Sequence, residues 1–387
     1  MSRPGGRRKL IGREACVIFI RVESTAPITF ARGAPSLDIV AVEDLKQAAQ
    51  RAFENDPSGA FMYGTSGGYP ALRDWLAQKH QIAREQVIAT NGSMQADAFL
   101  FQREVKSGDT VVIEAPTYDR TLLVLRNMGA DLLPVPVESD GLDVEYLARE
   151  LEAGKRPKLA HVIPNFHNPA GVTLSLEKRR RLLELAGHYD FMIFEDDPYG
   201  ELRFEGESLP TMFDLDDAER VVYASSFSKT VCPGIRVGYL AGPPAVIGDI
   251  ERRATSTYIS PSMVSQSIVA EFCTSGAIDR SVETVKNALR ERRDALAETL
   301  QSELPDARFT PPEGGYFLWV ELPEGADVDA LAAAAKDRGV IFVKGTDFLI
   351  EGGLNTLRLA YSGVGPDQIR AGIGRLADAY KNLSVTA

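Results

Sequence analysis

An apolar strand, Val221-Val222-Tyr223-Ala224, ends abruptly in Ser225-Ser226-Phe227-Ser228-Lys229, and Arg236 follows seven positions later in Pro233-Gly234-Ile235-Arg236-Val237-Gly238. A lysine held among hydroxyls at a strand end can act as a Schiff-base nucleophile, with the serines and the arginine gripping a phosphate beside it. A solvated lysine in a strand-to-helix loop is the plain alternative for Ser-Lys alone. Asp196 and Tyr199 close another apolar run, Phe191-Met192-Ile193-Phe194. A buried carboxylate there can keep a pyridinium N–H ionised and its ring an electron sink, while the phenol reaches a ring oxygen. A turn-stabilising aspartate is the competing role.

Three further stretches carry polar chemistry. Asn91-Gly92-Ser93-Met94 opens a helix, whose unpaired N–H groups and positive dipole end suit a phosphate; capping by Ser93 alone would explain the same residues. Arg358 stands in the apolar Asn355-Thr356-Leu357-Arg358-Leu359, where an arginine is paired, faces a cleft, or lies on an edge strand in water. Tyr63-Gly64-Thr65-Ser66-Gly67-Gly68-Tyr69-Pro70 implies a backbone bending close to something, or a surface loop.

The elements that must position these residues are legible in the pattern. From Val87 to Ala241, short apolar runs (87–89, 111–113, 161–163, 191–194, 221–224 and 237–241) alternate with amphipathic helices, which predicts a mainly parallel sheet covered on both faces. Ser175 is placed to cap a helix that ends near Gly187. Five strands run into polar or aromatic punctuation, at 90–93, 114–118, 165–169, 195–199 and 225–229. Ligands of open α/β sheets bind outside the carboxyl ends of the strands, so one composite pocket is expected. A helix is predicted over Val42 to Phe53 and a long charged one over Asp279 to Ser302. The later strand–helix–strand pattern, with strands at 315–320, 340–344 and 355–361, reads as a small α/β lobe. The expected division is a flexible extension over 1–23, a large domain over 46–275, and a small domain built from 24–45 together with 276–387.

Composition narrows the classes. The 387 residues are 44% hydrophobic and 25% charged, an ordinary globular balance with room for two lobes. A net charge of -11 argues against nucleic acid as the main partner. Cys16, Cys232 and Cys273 are too widely spaced for a disulfide framework or a CxxC site, which fits the cytoplasm. His80, His161, His167 and His188 show no ligand spacing, so no metal is expected. The basic leader ends in a short apolar stretch, 15–20, too short for a membrane span and followed by no Ala-x-Ala cleavage site.

Ser-x-Ser-Lys followed by Pro-Gly-x-Arg-x-Gly closely resembles the cofactor-lysine segment of the fold type I pyridoxal-phosphate aminotransferases, particularly the branch that includes 2-aminoadipate aminotransferases. The resemblance covers about 28–380. It implies a large domain with a mainly parallel seven-stranded sheet flanked by helices, plus a small α/β C-terminal domain. By that resemblance Lys229 carries pyridoxal 5'-phosphate as a Schiff base, Asp196 meets the ring nitrogen, and Tyr199 and Asn168 flank the ring oxygen. The separations, 28 from Asn168 to Asp196 and 33 from there to Lys229, also look like the family's. Gly92, Ser93, Met94, Ser226, Ser228 and Arg236 would form the phosphate cup. Tyr118 would stack on the ring, although core packing is compatible with the same residue. Arg358, helped by Asn168, would bind the substrate carboxylate, with Gly33 and Arg32 beside it. Tyr63 would reach the phosphate held by the other subunit of a homodimer.

The implied reaction is transamination by a ping-pong route between an α-amino acid and a 2-oxo acid. Arg32 could meet a second carboxylate or be a surface charge, and His167 could alter the side-chain pocket. β- or γ-elimination or replacement remains the alternative, because the same constellation only creates the carbanion. A regulator with an aminotransferase-like effector domain is the remote alternative; such proteins place a winged helix-turn-helix first, and no room for one is expected before Ile28.

Overall fold

The computed structural model describes residues 27–384. The expected extension over 1–23, with Cys16 and the apolar stretch 15–20, lies outside the described residues.

The large sheet is built from β1 (Val87–Thr90), β2 (Thr110–Ala115), β3 (Asp131–Glu138), β4 (Gly141–Leu142), β5 (Pro157–Val162), β6 (Met192–Asp196), β7 (Val221–Ser226) and β8 (Gly238–Ala241). Their spatial order is β1-β8-β7-β6-β5-β2-β3-β4. The pairs from β7 across to β3 are parallel, whereas β8 opposes both its neighbours and β4 folds back on β3. The sheet is therefore mainly parallel, with one two-residue strand beyond the expected seven. β3 escapes the apolar-run pattern because Pro134 and Pro136 interrupt it and its burial is partial, as befits a strand near an edge.

Period-two alternation explains why the central strands read as continuous apolar runs. Val111, Ile113, Leu159, Phe194, Val222 and Ala224 point to one face, under Phe99, Leu100, Ile247 and Ile250. Val112, Ala160, Val162, Ile193 and Val221 point to the other, under Leu147, Leu151, Leu182 and Leu185. Both faces are dry, so both phases of each strand must be apolar.

A second core lies in the C-terminal part. Strands Phe317–Glu321 and Val343–Lys344 flank Thr356–Ala360 in an antiparallel sheet, while Ile28–Thr29 pairs in parallel with Val340–Ile341. The expected 340–344 strand is thus split in two. Ile28, Phe30 and Ile39 pack with Leu318, Leu359 and Ile373, tying the early chain to this sheet. Helix Ala277–Glu303 serves both cores, with Ile278 and Val282 on one and Leu289, Leu296 and Leu300 on the other.

Ser175 caps helix Leu176–Tyr189, accepting from Lys178 N at 3.4 Å. The helix runs past Gly187 and stops at Asp190, whose left-handed backbone (φ 59°) ends it instead. On this helix Arg179 is fully buried and donates to Leu174 O (3.0 Å), Pro210 O (2.9 Å) and Asn165 Oδ1 (2.7 Å). It thereby clamps the loop that follows β5. Glu195 holds the neighbouring segment by accepting from Met212 N (2.9 Å) and Phe213 N (2.8 Å), and burial pushes its carboxyl up to about 8.

Arg179→Met should cost about 3 kcal/mol, because it leaves several buried acceptors without a donor. Denaturant unfolding checks this; a midpoint indistinguishable from the parent's at equal slope would remove the clamp.

Candidate active site

The carboxyl ends of β5, β6 and β7, the N-terminus of helix Ser93–Glu104, and the small C-terminal sheet enclose a cavity of about 480 Å³. That volume is ordinary for a cofactor with a small substrate. Ser93, Met94, Tyr118, Asn168, Asp196, Tyr199, Ser226, Ser228, Lys229, Arg236, Arg358, Gly33 and Arg32 all line it.

One end is built for an anion. Gly92, not Ser93, is the N-cap, and no side chain there accepts from the first turn, so the backbone N–H groups face outward with the dipole. Gly92 has φ 85°, and a Cβ on it would lie 2.2 Å from Arg236 Nη2. Only glycine lets the guanidinium reach this helix end. Arg236 Nη1 donates to Ser228 Oγ (3.2 Å), and Ser228 N donates to Ser226 Oγ (3.1 Å). The arginine and both hydroxyls thus converge beside the helix N-terminus, the donor set a phosphate requires.

Lys229 follows β7. Its Nζ donates to Gly33 O at 2.5 Å and lies 5.7 and 5.3 Å from the ring centroids of Tyr199 and Tyr316. Burial, and then the Arg358 charge, pull its amine down to about 8 against the opposing pull of Asp196. The amine is therefore available as a neutral nucleophile close to neutrality, which a surface lysine is not. Asp196, at the end of β6, is buried; its Oδ1 has no hydrogen-bond partner, and its Oδ2 lies 3.6 Å from His161 Nε2. A buried carboxylate oxygen without a donor is costly unless a ligand supplies one. Pyridoxal phosphate fits this pattern: phosphate at the helix end, an aldehyde for Lys229, and a ring N–H for Asp196.

At the far side, Arg358 is held between two aromatic faces, 4.4 Å from the Phe317 centroid and 4.7 Å from that of Phe348. It donates to Asn168 Oδ1 (2.8 Å) and Ala31 O (2.6 Å), while its Nε has no partner. Arg358 is thus a buried, cavity-lining cation rather than a solvated edge residue. Tyr199 is buried against Tyr316 and Phe317, and burial raises its phenol well above the usual range. Tyr118 is pushed up to about 12, first by burial and then by Asp119. Arg32 stands exposed at the mouth.

Two expected residues lie elsewhere. Tyr63 is 85% exposed and does not line the cavity of its own chain. His167 is buried 2.9 Å from Glu114 Oε2, with Nδ1 accepting from Ala170 N (3.2 Å). It holds the loop around Asn168 and does not line the cavity, contrary to the suggested influence on a side-chain pocket. Sequence reasoning missed Asp97, Phe317 and Phe348, which line the cavity. The signal for Asp97 was its position four residues after Ser93, on the same helix face.

Among the described residues no cluster suits a metal ion, Cys232 and Cys273 are unpaired, and no helix is long and apolar enough to cross a membrane.

Covalent capture of pyridoxal phosphate by the ligand-free chain, trapped with borohydride, should rise with pH through about 8 as the Lys229 amine loses its proton. Peptide mapping should find the label on Lys229, and Lys229→Ala should lose it; labelling that survives this substitution assigns the amine elsewhere.

Residues 26–376 match the family model described as Aminotransferase class I and II. The chain is 35% identical to Aromatic-amino-acid aminotransferase 1 of Thermococcus litoralis, over 93% of this chain and 89% of that protein. It is 33% identical to 2-aminoadipate transaminase of Thermus thermophilus, over 92% and 90% respectively. The crystal structure of LysN, the alpha-aminoadipate aminotransferase of Thermus thermophilus, complexed with N-(5'-phosphopyridoxyl)-L-leucine, superposes with a TM-score of 0.89 at 32% identity, covering 93% of this chain and 94% of that one. With a family match spanning nearly the whole chain, a shared fold and a lysine-centred cavity at the strand ends, this protein belongs to the aminotransferase class I and II family.

Proposed function

We propose that this enzyme uses pyridoxal phosphate, carried on Lys229, to move an amino group between an α-amino acid and a 2-oxo acid in two ping-pong half-reactions. The observation that carries this reading is the Lys229 amine, drawn down to about 8 and facing one cavity with the unpartnered Asp196 carboxyl oxygen. When bound, the cofactor supplies an aldehyde that condenses with amines and a ring that takes up the electron pair of the substrate Cα–H bond.

The chain's residues do the rest. Arg236, Ser226, Ser228 and the N-terminus at Gly92, Ser93 and Met94 hold the phosphate. Asp196 keeps the ring nitrogen protonated, and Tyr118 covers the ring face. Tyr199 and Asn168 flank the ring oxygen. Arg358, oriented by Asn168 and the aromatic pair, receives the substrate carboxylate through its unpaired Nε edge. With the cofactor bound, Lys229 Nζ would be the group placed to take up the substrate Cα proton as general base. Gly33 O, which accepts from Nζ at 2.5 Å, gives the amine a resting position at the substrate side.

Acidic and aromatic substrates fit best. Arg32 at the mouth can meet a distal carboxylate, and the relatives named for 2-aminoadipate and aromatic amino acids bracket the same range. We take 46–275 as the cofactor-binding domain and 24–45 with 276–387 as the smaller one. The exposed Tyr63 suits a contact with the phosphate in the partner of a homodimer. Unpaired thiols fit the reducing cytoplasm.

Adding glutamate, 2-aminoadipate or phenylalanine to the loaded enzyme should convert its absorption band to that of pyridoxamine phosphate, releasing the matching oxo acid. Product without pyridoxamine would move the assignment to elimination or replacement. Arg358→Ala should raise KM for amino and oxo acids alike about 100-fold, the value of a lost charge-assisted pair of ~3 kcal/mol. Arg32→Ala should lower kcat/KM about fivefold for dicarboxylic substrates only, as expected for an exposed ion pair worth ~1 kcal/mol; an equal loss on phenylalanine would exclude that role.

A further inference from the structure

Lys229 is held at both of its ends by one residue that does not itself line the cavity. Tyr316 is fully buried, and its hydroxyl donates to the main-chain carbonyl of Lys229 at 2.8 Å. The centroid of the same tyrosine ring lies 5.3 Å from Lys229 Nζ. Burial holds the phenol above its usual range, so its O–H remains a donor. The reaction above gives Tyr316 no part.

The chain before Tyr316 is shaped to present it. Gly315 has φ 71°, and a Cβ on it would lie 2.3 Å from Cβ of Phe166, so only glycine makes this turn. Tyr361 closes the turn: its hydroxyl donates to Gly314 O (3.0 Å) and Gly315 O (2.7 Å), and its N–H donates to Tyr316 O (3.1 Å). Strand Phe317–Glu321 begins at the next residue, so Tyr316 is anchored on the C-terminal sheet while its side chain reaches the lysine that follows β7. Ser281, from helix Ala277–Glu303, donates to the next carbonyl, Thr230 O, at 2.6 Å. Two successive carbonyls of the lysine turn are thus held by hydroxyls from outside the large sheet.

Satisfying a buried carbonyl would need the hydroxyl alone. The ring adds a second contact: Nζ sits 5.3 Å from Tyr316 and 5.7 Å from Tyr199 while donating to Gly33 O at 2.5 Å. Aromatic rings at that range attract an ammonium, which is what Nζ becomes when it takes up a proton. With its main-chain end pinned and a ring beside its far end, the lysine has a narrow arc to move in. Proton transfer depends steeply on such alignment.

We propose that Tyr316 is a positioning residue for Lys229: its hydroxyl fixes the main-chain carbonyl and its ring receives Nζ, so that the free amine is kept beside Gly33 O on the substrate side of the cavity. The inference rests on the pyridoxal-phosphate reading, in which Lys229 is the base, and its test separates the two.

Tyr316→Phe removes the hydroxyl and keeps the ring. In the loaded enzyme at saturating amino acid, a single turnover from the aldehyde to the pyridoxamine form should slow about tenfold. Deuterium at the substrate Cα should slow it further, marking proton transfer as the limiting event. A 2-methyl amino acid, which has no Cα proton to lose, should bind with the parent's midpoint, because Arg358 and Asn168 are untouched. A conversion rate within about twofold of the parent's overturns the proposal, as does an absent isotope effect or an affinity for the 2-methyl amino acid that falls as far as the rate. Tyr316→Leu, which lacks the ring as well, should be about fivefold slower again; a leucine variant as fast as the phenylalanine one overturns the part given to the ring. If the leucine variant does not fold, the phenylalanine arm decides. In the ligand-free chain, Tyr316→Phe should quicken amide exchange at Val231, whose N–H donates to Phe227 O across the lysine turn, by more than the change in global stability accounts for. Unchanged exchange there overturns the proposal whether or not a cofactor binds. A parent chain that takes up no pyridoxal phosphate defeats the cofactor reading instead, while the exchange measurement continues to report on the hold of Tyr316 over the turn.

Discussion

The site depends on making a lysine amine less basic at a place where it can react. Lys229 achieves this by burial beside Arg358, a like charge that disfavours a second cation, with Gly33 O accepting one N–H. Water would undo each of these effects, because a high dielectric restores the ammonium. The enclosure supplied by Tyr199, Tyr316 and Phe317 is therefore part of the chemistry. Arg358 in turn needs its aromatic sandwich and its bonds to Asn168 and Ala31 to remain buried as a cation.

The architecture delivers these groups through strand ends. β5, β6 and β7 are adjacent and parallel, so Asn168, Asp196 and Lys229 emerge on one side despite lying far apart in sequence. Loops alone would leave them mobile. Arg179 and Glu195 prevent that by satisfying backbone groups of the segments just beyond the strands, and Glu114 does the same from β2 by accepting from Ile163 N at 2.8 Å. A layer of buried polar side chains therefore lies beneath the cavity and fixes its walls. The C-terminal sheet closes the cavity from the other direction, bringing Arg358 and Phe317 from neighbouring strands.

Much of this was legible in the chain because the chemistry sits where pattern changes. An apolar run that turns into hydroxyls and a lysine, or into Asp-Asp-Pro-Tyr, marks a strand end, and strand ends of an α/β sheet converge. Local boundaries were less legible. The helix stop expected near Gly187 falls two residues short of Tyr189, because the left-handed turn is made by Asp190, and the prolines of β3 hid a strand that the sheet edge tolerates. His167 was misjudged because adjacency to Asn168 says nothing of direction; the turn aims its ring at Glu114 rather than into the cavity. Asp97 left little trace, since one acidic residue in an amphipathic helix ordinarily faces water.

The distribution of charge inside the cavity differs in kind from that of the whole molecule. A chain of net charge -11 would repel an anionic cofactor and anionic substrates at long range. The cavity opposes this with Arg236 and a helix N-terminus at one end, Arg358 at the other and Arg32 at the mouth. Long-range repulsion between exposed charges is screened over roughly 8 Å at physiological ionic strength, whereas the buried arginines act across a few ångströms of low dielectric. The near field therefore governs what is held, and the acidic surface costs little once a substrate has entered.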